Sequence, residues 1–233
     1  MEVNANLTWQ LLTNAEQVAA EAYQRILIAA NQAIQTRGCF RIVLAGGNTP
    51  KQTYTLLSKA NLNWSKWYIY YGDERCLPEA DAERNSKMAA QAWLNAVAIP
   101  PSQVHPIPAQ LGAIAAARHY AEIIQPILPF DLVLLGLGED GHTASLFPNQ
   151  VHSSHELVHP VFNAPKPPAE RVSLSVSALS QTRELIFLIT GRNKREAVAA
   201  WQRGDNLPVA RIRSLGKVTV LIEQVAIFSK SYN

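Results

Sequence analysis

His142 follows a glycine-rich turn in Phe130-Asp-Leu-Val-Leu-Leu-Gly-Leu-Gly-Glu-Asp-Gly-His-Thr-Ala-Ser-Leu-Phe-Pro148. An imidazole gains or loses a proton near neutral pH. Asp140, two residues earlier, can orient that ring and raise its basicity. The run Leu132 to Leu135 reads as a buried strand, which puts the histidine at a strand tip, where an open α/β sheet places its chemistry. A surface or capping histidine would have the same spacing. Ser145 lies nearby, but no Gly-x-Ser-x-Gly elbow surrounds it, so water is the more natural nucleophile.

A second candidate is Ala45-Gly46-Gly47-Asn48-Thr49-Pro50. It follows a strand-like run and opens a helix, with Thr49 as the expected N-cap and Pro50 at the first helical position. Two glycines allow close backbone approach, and the exposed N–H groups of a helix N-terminus favour an anion. An ordinary βα turn would read the same way, and the Gly-Lys-Ser/Thr ending of a P-loop is absent. Gly72-Asp73-Glu74-Arg75 ends another strand and reads as a charged turn at the sheet rim. Arg75 there could stabilise a developing oxyanion. Arg171 and Lys194 lie at element boundaries, and together with Gly46-Gly47 they could surround a phosphate.

Two further patterns carry less. Gly136-Leu-Gly138-Glu-Asp-Gly141 formally matches a dinucleotide fingerprint. Pro148 interrupts the helix that should follow, Asp140 would face a pyrophosphate, and the strand Val172 to Val176 offers no acid for a ribose. His152, His155 and His159 have the spacing His-x-x-His-x-x-x-His in a proline-containing stretch. No helix fixes them for a metal, so they read as solvated loop histidines.

The elements that must position these residues alternate between strand and helix. Residues 14–36 carry apolar positions at helical spacing, and Gly38 stops them. Strands are expected at 40–45, 67–71, 131–135, 171–177, 184–189 and 217–222. Helices are expected at 51–60, 85–97 (capped by Asn85 or Ser86), 111–125 and 194–202, and residues 149–170 read as loop. This order predicts an α/β, Rossmann-like, mostly parallel sheet with helices on both faces, in a single domain over residues 1–233.

Bulk composition agrees with that class. The chain has 233 residues, 48% of them hydrophobic and 17% charged, with a net charge of +3. The charged fraction lies below a typical ~25%. It argues against disorder, and no Lys/Arg-rich run suggests nucleic acid. Cys39 and Cys76 form no Cys-x-x-Cys pair and are expected to be reduced thiols. No secretory signal is evident, and no apolar run approaches the ~18 residues of a membrane span. A cytoplasmic protein that binds no membrane, a monomer or weak homo-oligomer, is the expectation.

Taken together, these motifs resemble the glucosamine-6-phosphate isomerase/deaminase and 6-phosphogluconolactonase family. The resemblance runs nearly end to end, through Ala45–Pro50, Gly72–Arg75, Arg84-Asn85-Ser86, Gly136–Pro148, Glu170–Ser173 and Gly191-x-x-Lys194. Deaminases of this kind usually have Asp-Glu-Tyr where this chain has Asp73-Glu74-Arg75, and they place a catalytic glutamate shortly after the histidine. Here Thr143 to Phe147 contain no acid. The resemblance therefore implies hydrolysis of 6-phospho-D-glucono-1,5-lactone in the pentose phosphate pathway, without metal or redox cofactor. A deaminase or isomerase, or a non-catalytic sugar-phosphate-binding protein, are the alternatives. It implies His142 as base, Asp140 as its partner and Arg75 at the oxyanion. Gly46, Gly47, Asn48, Thr49, Asp73, Arg171 and Lys194 are expected to bind substrate. Ala45 and Asn48 stand where many relatives carry serine.

Overall fold

Strand β5, Phe130–Gly136, is buried at every position except its last. Such a run lacks the alternation of a half-exposed strand, because it has strands on both edges and is covered on both faces. In chain order the other strands of its sheet are β1 (Leu7–Leu12), β2 (Phe40–Leu44), β3 (Trp67–Tyr71), β8 (Thr182–Ile189) and β9 (Lys217–Glu223). The computed structural model describes residues 7–227 except 152 and 154. These strands form one six-stranded sheet in the order β1-β9-β8-β5-β2-β3, and every adjacent pair is parallel. Helix α1 (Ala15–Arg37) packs across β2, β5, β8 and β9, and Gly38 ends it in the left-handed region at φ 78°. Trp201, on α6 (Arg195–Arg203), stacks on Trp9 of β1 and Phe187 of β8.

The chain passes from β2 outward to β3 and then returns to lay β5 on the other side of β2. That reversal opens a crevice beyond the carboxyl ends of β2 and β5, the usual ligand position in an open α/β sheet.

A second sheet of three antiparallel strands stands over this crevice, in the order β4-β7-β6. It departs from the sequence expectation in three places. Asp73–Arg75 form β4 rather than a turn. Part of the expected loop at 149–170 is β6, Val158–Val161. The expected strand 171–177 divides into β7, Arg171–Leu174, and the short helix α5, Val176–Ser180. Ser175 makes that break, since its side chain accepts from Ala178 N at 3.0 Å and caps the helix. β1 was not foreseen either.

Two helix starts also differ. Helix α2 spans Asn48–Leu57, so Gly47 is the N-cap, at φ 103°, and Thr49 lies inside the first turn. The Thr49 hydroxyl is engaged elsewhere, 2.6 Å from Thr190 Oγ1. Helix α3, Asn85–Ala92, is capped by neither Asn85 nor Ser86. Its first N–H groups donate to Glu74 of β4, Asn85 N at 2.7 Å and Ser86 N at 2.8 Å. A carboxylate at a helix N-terminus meets both the unpaired donors and the dipole. Helix α4, Ala113–Ile124, is held similarly, with Ala113 N donating to Glu170 Oε1 at 2.8 Å. Among the described residues, no helix is long and apolar enough to cross a membrane.

Glu74 is fully buried, and it also lies 3.5 Å from Arg84 Nε. Glu74→Ala would leave Arg84 without its acid and α3 without its cap. Breaking a buried pair this way costs about 3–5 kcal/mol. Urea unfolding should register that loss, and a change below about 1 kcal/mol would show that the cap does not hold β4 to α3.

Candidate active site

Strand β4 sorts its charges by the two-residue period of a strand. Glu74 turns away toward α3, while Asp73 and Arg75 share the opposite face. That face lines a cleft of about 300 Å³. β4 pairs with β7 so that Asp73 lies opposite Ser173, and Arg75 opposite Arg171. Two arginines directly across a ladder repel each other. Asp73 lies close enough to attract Arg171. It is buried and fully engaged: Oδ1 accepts from Asn85 Nδ2 at 3.0 Å, and Oδ2 accepts from Ser145 Oγ at 2.6 Å. Ser145 is therefore a strut between the histidine loop and β4, not a nucleophile.

At the tip of β2, the Tyr54 hydroxyl donates to Ala45 O at 2.9 Å and accepts from Ala45 N at 3.0 Å. This pins the turn that carries Gly46 and Gly47 to the cleft wall. Gly46 has a specific steric reason: a Cβ there would fall 2.1 Å from Asn85 Oδ1. The missing side chain lets β2 approach the amide that holds Asp73.

At the tip of β5, His142 Nδ1 lies 2.5 Å from Asp140 Oδ1, and His142 N donates to the same oxygen at 3.1 Å. With the proton assigned to Nδ1 by this contact, Nε2 is the nitrogen left free to accept. The ring packs on Phe147, with centroids 4.7 Å apart. Gly138 makes room for the pair, since its Cβ would lie 2.0 Å from His142 Nδ1. The dinucleotide-like glycine is thus spent on an imidazole. Burial lowers the His142 pKa below its ordinary value, and this outweighs the attraction of Asp140. Burial opposes ionisation of Asp140, but the charge and hydrogen bonds of His142 prevail, and its pKa is lowered as well.

The remaining wall is cationic. Arg171 is buried, and burial lowers its pKa. Nε donates to Pro168 O at 3.0 Å, and Nη2 donates to Lys166 O at 2.9 Å and Pro167 O at 3.0 Å. Lys194, at the end of the short turn before α6, has its pKa lowered by burial too. Lys166 also lines the cleft.

The cleft thus gathers Gly46, Gly47, Asp73, Arg75, His142, Arg171 and Lys194, all singled out in the sequence, with Asp140 touching His142. Asn48 and Thr49 do not line it: Asn48 is exposed in the first turn of α2, and the Thr49 side chain is turned to Thr190. Sequence reasoning missed Lys166 and the role of Asn85. The signal for Lys166 was its place in Pro165-Lys166-Pro167-Pro168, which fixes the backbone around a single cation.

The loop histidines separate. His159 is buried on β6, with Nδ1 3.0 Å from Glu156 Oε2, rather than solvated. His155 is exposed, and His152 lies outside the described residues. Among the described residues, no group of three or more His, Cys, Asp or Glu side chains could hold a metal ion. Cys39 and Cys76 are free thiols.

Residues 13–221 match the family model described as glucosamine-6-phosphate isomerases/6-phosphogluconolactonase. The 6-phosphogluconolactonase of Mycobacterium tuberculosis is 36% identical over 229 residues, covering 91% of this chain and 93% of its own. That of Synechocystis is 32% identical over 230 residues, covering 93% and 95%. The crystal structure of 6-phosphogluconolactonase from Thermotoga maritima superposes with a TM-score of 0.88 at 25% identity, covering 94% of this chain and all of its own. With the family model matched over most of the chain and the fold in agreement, this protein belongs to the glucosamine-6-phosphate isomerase/6-phosphogluconolactonase family.

Proposed function

We propose that this protein hydrolyses 6-phospho-D-glucono-1,5-lactone to 6-phospho-D-gluconate, the lactone-opening step of the oxidative pentose phosphate pathway. The observation that carries the reading is the His142–Asp140 pair, set at a cleft whose lining includes four cationic side chains and the glycines of the β2 turn. The relatives named above as 6-phosphogluconolactonases support it.

The substrate's phosphate docks at the N-terminus of α2, beside Gly46 and Gly47, with Lys194 and Arg171 as cationic partners. The lactone carbonyl then lies toward His142. Neutral His142 takes a proton from water at Nε2, and the hydroxide so formed bonds to C1. Charge moves to the carbonyl oxygen, where Arg75 stabilises it. Asp140 keeps the proton on Nδ1 and favours the imidazolium. As the intermediate collapses, the C1–O bond of the ring breaks and His142 returns its proton to the leaving ring oxygen. This yields a hydroxyl and a carboxylic acid, which ionises in water. Asp73 positions the groups around it, accepting hydrogen bonds from Asn85 and Ser145.

Ammonia release from an amino-sugar phosphate would need several proton transfers. Thr143 to Phe147, the segment after His142, supply no acid for them. This favours hydrolysis, which needs one base that becomes an acid.

A rapid assay of lactone opening, with spontaneous hydrolysis subtracted, tests the reading. His142→Ala should lower kcat by roughly 10²–10⁴-fold with its unfolding transition unchanged. Near-parent turnover would remove His142 as the base.

The pH profile gives a second check. Neutral imidazole is the active form, so kcat/KM should fall as pH drops through the His142 pKa. That pKa lies below the ordinary value of 6.5, so activity should persist down through pH 6.5. In Asp140→Asn the imidazolium loses its partner, and the acid limb should move lower still while the plateau falls. A limb centred above pH 7 would contradict a neutral resting histidine.

A further inference from the structure

Lys166 reaches the cleft on an unusually constrained segment between β6 and β7. Pro165, Pro167 and Pro168 surround it, and each proline fixes its own φ. Ala164 N donates to Ala169 O at 2.9 Å and closes the segment into a loop. Arg171 then bonds the carbonyls of residues 166, 167 and 168 through Nε and Nη2. Much of the Arg171 donor set is therefore spent on holding this strap. What the strap delivers to the cleft is one ammonium group.

That ammonium is only loosely held. Lys166 Nζ is 3.8 Å from Glu139 Oε2, and both side chains are about half exposed. A pair of this kind contributes little and is easily exchanged. Glu139 Oε1 accepts from Asn193 Nδ2 at 2.5 Å, which fixes the carboxylate beside the turn that carries Lys194. Glu139 attracts Lys194 as well, while Lys166 and Lys194 repel each other. Two ammonium groups thus share one exposed carboxylate at the edge of an anion-sized opening.

We propose that Lys166 is a further substrate-binding residue, which joins Lys194 on the substrate's phosphate while Glu139 serves as the stand-in anion of the empty site. This rests on the sugar-phosphate reading given above and deepens it. A phosphate monoester carries about two negative charges near neutral pH, matching two lysines better than one lysine and a committed arginine. Glu139, held by Asn193, stays in place when Lys166 swings from it to the phosphate.

The test compares the parent with Lys166→Met. The strap should persist in the variant, because Arg171 bonds the backbone carbonyl of residue 166 and not its side chain. The ratio of kcat/KM for 6-phosphogluconolactone to that for unphosphorylated glucono-1,5-lactone should fall about tenfold, the loss expected for one charge-assisted bond. Binding of 6-phosphogluconate, followed by calorimetry, should weaken by a similar factor, and Glu139→Gln should tighten it two- to threefold. An unchanged ratio, whether from no loss on either lactone or from equal loss on both, overturns the assignment. If the parent opens neither lactone, the lactonase reading itself fails. Calorimetry with inorganic phosphate then decides separately: weaker binding by Lys166→Met sustains the phosphate contact, and equal binding overturns it.

Discussion

Asp73 and Glu74 are neighbours on a three-residue strand, and the pleat sends their carboxylates to opposite sides. Glu74 goes inward, closes the first turn of α3 and meets Arg84. Asp73 goes outward and takes a hydrogen bond from Asn85 of α3 and another from Ser145 of the histidine loop. Between them the two acids tie α3, the loop beyond β5 and the small antiparallel sheet into one frame. A buried carboxylate tolerates such a place only if every oxygen is paired, and here all four accept or face a cation.

The same frame explains why the opening favours anions. Arg75 and Arg171 are opposed on the ladder between β4 and β7. Asp73 offsets part of their repulsion, and Glu139 does the same for the lysines on the far wall. In each case the protein supplies less negative charge than positive charge around the cavity. An anionic ligand restores the balance, so binding energy is available without any movement of the sheet. Burial lowers the His142 pKa, with a smaller contribution from Lys166, against the attraction of Asp140 and Asp73.

How much of this was legible in the sequence follows from how local each cause is. β3 and β5 are continuous apolar runs bounded by turn residues, and their limits were read to within a residue. Gly38 announced the end of α1 because a left-handed cap has few alternatives. The contact between His142 and Asp140 was legible too, since a histidine two residues after an aspartate in a glycine turn needs little context. β4 was hidden because three charged residues after a strand look like a turn. Only the partner strand β7, almost a hundred residues later, makes them a ladder. β6 was hidden by the prolines around it. The cap on α3 was misread for the same reason: the acid comes from Glu74, not from the residues beside the helix. Lys166 was overlooked because proline-rich composition reads as loop, whereas Arg171 turns that loop into a fixed arm.

The glycines illustrate the general point. Gly136, Gly138 and Gly141 formally matched a dinucleotide fingerprint that the surrounding residues argued against, and Gly46 suggested close approach of backbone to a ligand. In the structure Gly138 is small because an imidazole–carboxylate pair occupies the space its side chain would need, and Gly46 because an amide does. Both glycines leave room for side chains of the cleft and its frame. A scaffold built this way keeps its strand tips fixed and changes reaction through the few groups packed over them. That is consistent with one family model covering both glucosamine-6-phosphate isomerases and 6-phosphogluconolactonase.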